Sequence, residues 1–276
     1  MRVSDSHNDF LTHYKSKQSK INYLYRLSYT DVKIMNAVYW SSEKKNPIKD
    51  LKENRKILNY AKHINIVYTI EDIGFADISN IKDFVELDID FCGLVWNFDN
   101  KYGGGAQGIG TLTTLGEKLV RELEKNNIHI DTAHMNKKTF RRFLNVTKFP
   151  IYNSHSNIYS LHNHKRNLKD WQIREIINSN GFIGLSFVKD FITLDECFSS
   201  KDIAKQIKYF IERWGIDNIG IGSDFFGTEN LPQDLKCYAD IKNLEQELAC
   251  LGISQNIINK VLYENYYNFL KRINKI

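Results

Sequence analysis

The chain has 276 residues, 42% hydrophobic and 26% charged, a composition that supplies one sizeable core and excludes a disordered or low-complexity protein. Its net charge of +5 comes from 38 basic and 33 acidic residues spread over what read as solvent faces, so nucleic-acid binding is not expected. Met1-Arg2-Val3-Ser4-Asp5 opens no apolar stretch and no apolar run reaches about 18 residues, so neither a signal peptide nor a membrane span is expected, and the cytoplasm is the expected location.

Short apolar runs alternate with helical patterns, as in βαβ units around a parallel sheet. Strands are predicted near 2–5, 34–40, 64–70, 91–96, 128–132, 149–153, 182–187 and 218–222. Between them, Leu115–Lys125 places Leu115, Leu119 and Leu123 on one helical face, and Ser200–Trp214 gathers Ile203, Ile207, Phe210 and Ile211. One long helix is predicted from Gln255 to Asn274. Eight strands, most followed by a helix, point to a single α/β domain over 1–276, a (β/α)8 TIM-type barrel, rather than to a doubly wound open sheet. The four cysteines, Cys92, Cys197, Cys237 and Cys250, lie far apart and read as free, buried thiols.

Most of the predicted strands end in residues that carry chemistry. His7 and Asp9 sit two apart on an extended segment and point the same way, towards one cation. Glu71 ends the run Ile64–Ile70, where a carboxylate is costly to bury unless paired or metal-bound, while its neighbour Asp72 suits a helix cap. His134 and His155 end successive strands as imidazoles suited to zinc. Asp224 closes Ile219-Gly220-Ile221-Gly222-Ser223-Asp224 and could act as a general base. Taken singly, each has a blander reading as a cap, a turn or a satisfied histidine; their common register at strand ends favours a site. His13, His63 and His129 read as structural or surface residues, and His162 and His164 as residues of the loop between His155 and Arg166, one of which could line the pocket.

Five segments together resemble the membrane (renal) dipeptidase family and its bacterial relatives. Asp5-Ser6-His7-Asn8-Asp9-Phe10 is similar to the family's D-x-H-N-D-L, Ile70-Glu71-Asp72 to its I-E-G and Ile130-Asp131-Thr132-Ala133-His134 to its V-D-L-S-H. Asn153-Ser154-His155-Ser156-Asn157 is similar to S-H-S-N/S, and Gly220–Phe225 to G-I-G-S-D-F. Arg166-Asn167 follows His155 at the family's distance, and Gly110–Gly116 looks like its G-L-T-x-x-G.

The resemblance implies a metallo-dependent hydrolase barrel with two zinc ions per chain held by His7, Asp9, Glu71, His134 and His155, Glu71 bridging them. It implies a zinc-activated hydroxide attacking the peptide bond of a small dipeptide, including some with a C-terminal D-residue. Asp224 would move the proton, and Arg166, with Trp96 and Asn97, would bind substrate. Zinc over manganese or cobalt rests on ligand type alone. No nucleic-acid or membrane partner is expected, and a homodimer is left open. Three departures stand out. Trp96 in Val95-Trp96-Asn97 replaces a family histidine that stabilises the tetrahedral intermediate, and an indole N–H donates a hydrogen bond without carrying charge. Asp72 stands where glycine is usual, and Phe226 where aspartate is frequent. The chain is also short for the family, which implies trimmed loops over the substrate. The alternatives kept open are an amidohydrolase-like enzyme for another small amide or ester, and a non-catalytic metal- or peptide-binding barrel.

Overall fold

Eight parallel strands hydrogen-bond in sequence order and close on themselves: β1 (Val3–Asn8), β2 (Val32–Trp40), β3 (Asn65–Glu71), β4 (Phe91–Gly93), β5 (His129–Asp131), β6 (Tyr152–Asn153), β7 (Phe182–Leu185) and β8 (Ile219–Ile221). This computed structural model describes residues 1–41 and 45–276. The helices are α1 (Phe10–His13), α2 (Lys17–Leu27), α3 (Pro47–Leu58), α4 (Ile81–Glu86), α5 (Thr114–Lys125), α6 (Lys137–Phe143), α7 (Asp170–Asn178), α8 (Ser200–Trp214), α9 (Ile241–Cys250), α10 (Gln255–Asn259) and α11 (Asn265–Arg272). The closed ring is the predicted (β/α)8 barrel and excludes the open sheet. Among the described residues no helix is long and apolar enough to cross a membrane.

The strands read as apolar runs because both faces are covered, one by the barrel interior and one by helices. β2 is buried along almost its whole length. It pairs with β3 over seven residues, which brings Trp40 beside Glu71 at the upper rim. α5 begins where Thr113 Oγ1 accepts the Gly116 N–H at 3.0 Å. It buries Leu119, Val120 and Leu123. Leu115, predicted on that face, stays exposed because it lies in the first turn, at the edge of the core.

Several strand boundaries differ from prediction. β1 runs on to Asn8, so His7 lies within the strand rather than after it. β4, β5 and β6 are shorter than their apolar runs, since the chain leaves the ladder early and turns its polar residues into the barrel mouth. The predicted C-terminal helix is interrupted by a π-helical turn at Lys260–Glu264. Ser4 Oγ donates to Tyr263 O at 3.0 Å, and Asn265 Nδ2 donates to Ile216 O and Ile219 O at 2.5 and 2.8 Å, so barrel and helix satisfy each other's carbonyls there. Beyond that turn, Tyr266, Phe269, Leu270 and Ile273 pack with Ile34, Val67, Phe91, Tyr152 and Phe182 into one buried cluster that fills the lower barrel. The cysteines carry no disulfide, but only Cys92 is buried; the other three are exposed, a correction to the sequence reading.

Candidate active site

The strand-end residues singled out in the sequence meet at one mouth of the barrel. His7 Nε2 lies 3.1 Å from Asp9 Oδ2 and 3.9 Å from Glu71 Oε1. Glu71 Oε1 is also 2.8 Å from His134 Nε2 and 3.6 Å from His155 Nε2, so one carboxylate oxygen faces three imidazoles. His155 Nε2 is 4.0 Å from Asp224 Oδ2. Three metal-type groups result among the described residues, Glu71–His134–His155, His7–Asp9–Asp224 and His7–Asp131–His155, each with its ligand atoms within 4.8 Å of one another.

The far sides of the rings explain why their Nε2 atoms face inward. Ser154 Oγ lies 2.5 Å from Asp131 Oδ2, 2.7 Å from His155 Nδ1 and 3.1 Å from His7 Nδ1. A hydroxyl has one proton, and the carboxylate takes it; the two lone pairs of Ser154 then accept an N–H from each ring. Both imidazoles therefore hold a proton on Nδ1 and turn Nε2 towards the barrel mouth. Asn97 Oδ1, 3.2 Å from His134 Nδ1, fixes the third ring in the same way. Asp131 also accepts the backbone N–H groups of Ala133 and Ser154, which ties the ends of β5 and β6 together. Asp5 does the same between β1 and β8, accepting from His7 N, Ser223 N, Ser223 Oγ and Tyr238 Oη.

Bare nitrogens of His134 and His155 only 3.1 Å apart repel unless something electropositive lies beside them. Arg166 Nη2 supplies part of this, 2.7 Å from His155 Nε2 and 3.2 Å from His134 Nε2, while its Nη1 donates to Ala133 O at 2.6 Å. The carboxylates make the same demand. Burial works against a charged His7, yet Asp9, Glu71 and Asp224 raise its pKa to about 10. Burial likewise opposes ionisation of Glu71, but His134, His7 and Arg166 hold it down at about 2. Burial, with repulsion from Asp9 and Glu71, lifts Asp224 to about 7. Burial, and then the charge of Arg166, pushes His134 down to about 4, a neutral imidazole. Neutral His134 and His155, and a His7 whose extra proton a metal ion would displace, suit divalent cations beside these carboxylates.

Asp224 adopts a left-handed backbone, φ 61°, an uncommon conformation for a residue with a side chain. Gly227 makes room beside it: a methyl there would overlap Asp224 Oδ1 and lie 2.5 Å from Asp9 Oδ2. The cleft over these groups measures about 690 Å³, and Trp40, Trp96, Asn97, Arg166 and Phe226 all line it. The Trp96 ring sits 5.0 Å from that of Trp40 and 5.9 Å from that of His134.

Every site residue expected from sequence thus lies in this mouth, and Asp72 takes the predicted bland role, accepting the Gly74 N–H at 3.0 Å as a cap. His13, read as structural or surface, instead lines the cleft with its ring 5.1 Å from Phe226, and His164 lines it as well. Sequence reasoning also passed over Gln107, Asp190 and Phe191, which come from loops with no motif. Asp131 and Ser154 stood inside the family-like motifs without being singled out; their spacing from His134 and His155 was the available signal.

Comparison with known proteins agrees with this architecture. The chain is 31% identical over 226 residues to an uncharacterised protein from the pqqA 5' region of Klebsiella pneumoniae, covering 77% of this chain and 83% of that protein. It is 28% identical over 191 residues to the dipeptidase aclJ of Aspergillus oryzae, covering 67% of this chain and 45% of that one. Among solved structures it superposes on the metallopeptidase dipeptidase AC with a TM-score of 0.91 at 20% identity, covering 100% and 99% of the two chains. A Rhodobacter sphaeroides metallopeptidase, liganded with a phosphinate mimic of L-Ala-D-Ala, gives a TM-score of 0.86 at 19% identity, covering 99% of each chain. The model of membrane dipeptidase, peptidase family M19, matches residues 15–276, beginning shortly after the His7–Asp9 segment, and the chain belongs to that family.

Proposed function

We propose that the chain hydrolyses the peptide bond of small dipeptides with two zinc ions held by His7, Asp9, Glu71, His134 and His155. The observation that carries this reading is the convergence of three imidazole Nε2 atoms on one Glu71 oxygen, with Asp9 and Asp224 alongside. Ions bound there would lower the pKa of a water towards about 7 and polarise the scissile carbonyl. The remaining steps belong to the chain's own side chains. Arg166, 6% exposed on the cleft wall, offers a planar fork for the substrate's terminal carboxylate. Asp224, held near neutrality, takes the proton of the attacking water at its carboxylate and returns it to the leaving amine. Trp40 and Trp96 form an apolar wall that excludes water from the reacting centre, with an indole N–H as donor where the family histidine would stand. The L-Ala-D-Ala mimic bound by the Rhodobacter neighbour supports a tolerance for C-terminal D-residues.

The test is a dipeptide panel on zinc-loaded protein, with and without chelator, beside Asp224→Asn. Chelator should abolish turnover. The variant should lose about 10²–10⁴ in kcat while metal analysis still finds two ions per chain. A variant with undiminished kcat would remove Asp224 from the reaction. Hydrolysis of a small amide or ester with no dipeptide cleaved would favour the amidohydrolase alternative.

A further inference from the structure

A second cleft, of about 470 Å³, adjoins the catalytic one, and Arg166 and Gln107 line both. The far side of this second cleft is built from Lys137, Lys138, Lys165 and Lys169, and no aspartate or glutamate lines it. None of these four lysines makes an ion pair among the described residues; Lys138 donates to Ile109 O at 3.2 Å, and Lys169 lies 4.3 Å over the Tyr159 ring. The buried Nε of Arg166 has no hydrogen-bond partner. The neighbouring catalytic cleft is the reverse, with Asp9, Glu71, Asp190 and Asp224 in its lining. A shared wall of Arg166 and Gln107 thus separates an acidic chamber from a basic one without counter-charge.

We propose that this lysine-lined cleft is a specificity subsite that receives the side-chain carboxylate of the substrate's C-terminal residue, so that dipeptides ending in an acidic residue are preferred. The inference rests on the dipeptidase reading and on Arg166 as the carboxylate anchor. A C-terminal residue held at Arg166 stands at the boundary of the two chambers, and a short acidic side chain reaches into the basic one. Lys137 supports this independently: the charge of Lys169 lowers its pKa, as expected of two ammonium groups brought together with no anion between them.

The experiment compares kcat/KM for Ala-Glu and Ala-Gln, in both L and D forms at the C-terminal residue, on zinc-loaded protein. The pair is nearly isosteric and differs in charge. A preference for Glu of about tenfold at low ionic strength is expected, falling towards unity at high salt as the lysines are screened. In Lys137→Gln/Lys169→Gln the Glu-to-Gln ratio should collapse at low salt. The ratio is internal to each sample, so a partly misfolded variant does not mimic the effect, and the wild-type salt dependence stands if the variant does not fold. Equal cleavage of Glu and Gln by the wild type overturns the subsite alone, as does a preference that salt and the lysine changes leave intact. Failure to cleave any dipeptide overturns the dipeptidase reading as well.

Discussion

Ser154 has one hydroxyl proton and three neighbours at hydrogen-bond distance, and that arithmetic organises the centre. Giving the proton to Asp131 obliges the serine to accept from His7 and His155, so one small side chain sets two tautomers at once. Such supporting contacts are worth about 10–100-fold in metal affinity where they have been removed from zinc sites. Ser154→Ala should therefore weaken metal binding by about that factor, read by competition with a coloured chelator, with a smaller fall in kcat at saturating metal. Unchanged affinity would assign the serine to packing alone. The ligand-type residues were legible in the sequence because His, Glu and Asp at successive strand ends are costly without a common partner. The role of Ser154 was not, because its three contacts join β1, β5 and β6, and only closure of the barrel brings those ends together. The same holds for Lys137 and Lys169, which are ordinary surface lysines until α6 and the loop before α7 are set side by side.

At the scale of elements, β5 carries a cost at its lower end. His129 begins the strand with both ring nitrogens buried and unpartnered, its ring 4.4 Å from Phe149 and 5.7 Å from Phe91. Burial, helped by the charge of Lys275, lowers its pKa to about 3. The folded state thus refuses a proton that the unfolded chain accepts below its ordinary pKa of 6.5, so stability falls as pH drops from about 6.5 towards 3, by up to about 1.4 kcal/mol per unit. His129→Phe should remove this slope: between pH 7 and pH 5 the wild type should lose about 2 kcal/mol more than the variant in urea unfolding. Parallel losses in the two proteins would show that the imidazole is not the titrating group. Element prediction succeeded where burial makes a clean pattern, as in α8, and failed where a polar contact overrides it. The segment 260–264 keeps a helical apolar spacing, and nothing local shows that Ser4 and Asn265 will hold it as a π turn.

For the whole molecule, the eight-strand count was readable from the alternation of apolar runs and helical faces, whereas the filling of the lower barrel was not. Tyr266 and Phe269 belong to the last helix, yet they pack against residues of β2, β3, β4, β6 and β7. Phe269→Ala should therefore cost about 3–5 kcal/mol, measured by urea unfolding, although the residue lies far along the chain from every strand it supports. A loss below about 1 kcal/mol would mean that the strands close their own interior. The aromatic filling also governs traffic. With the bottom of the ring stoppered, whatever enters above the imidazoles has to depart through the doorway by which it arrived. Fresh substrate and departing product share that passage, so turnover is exposed to inhibition by its own products.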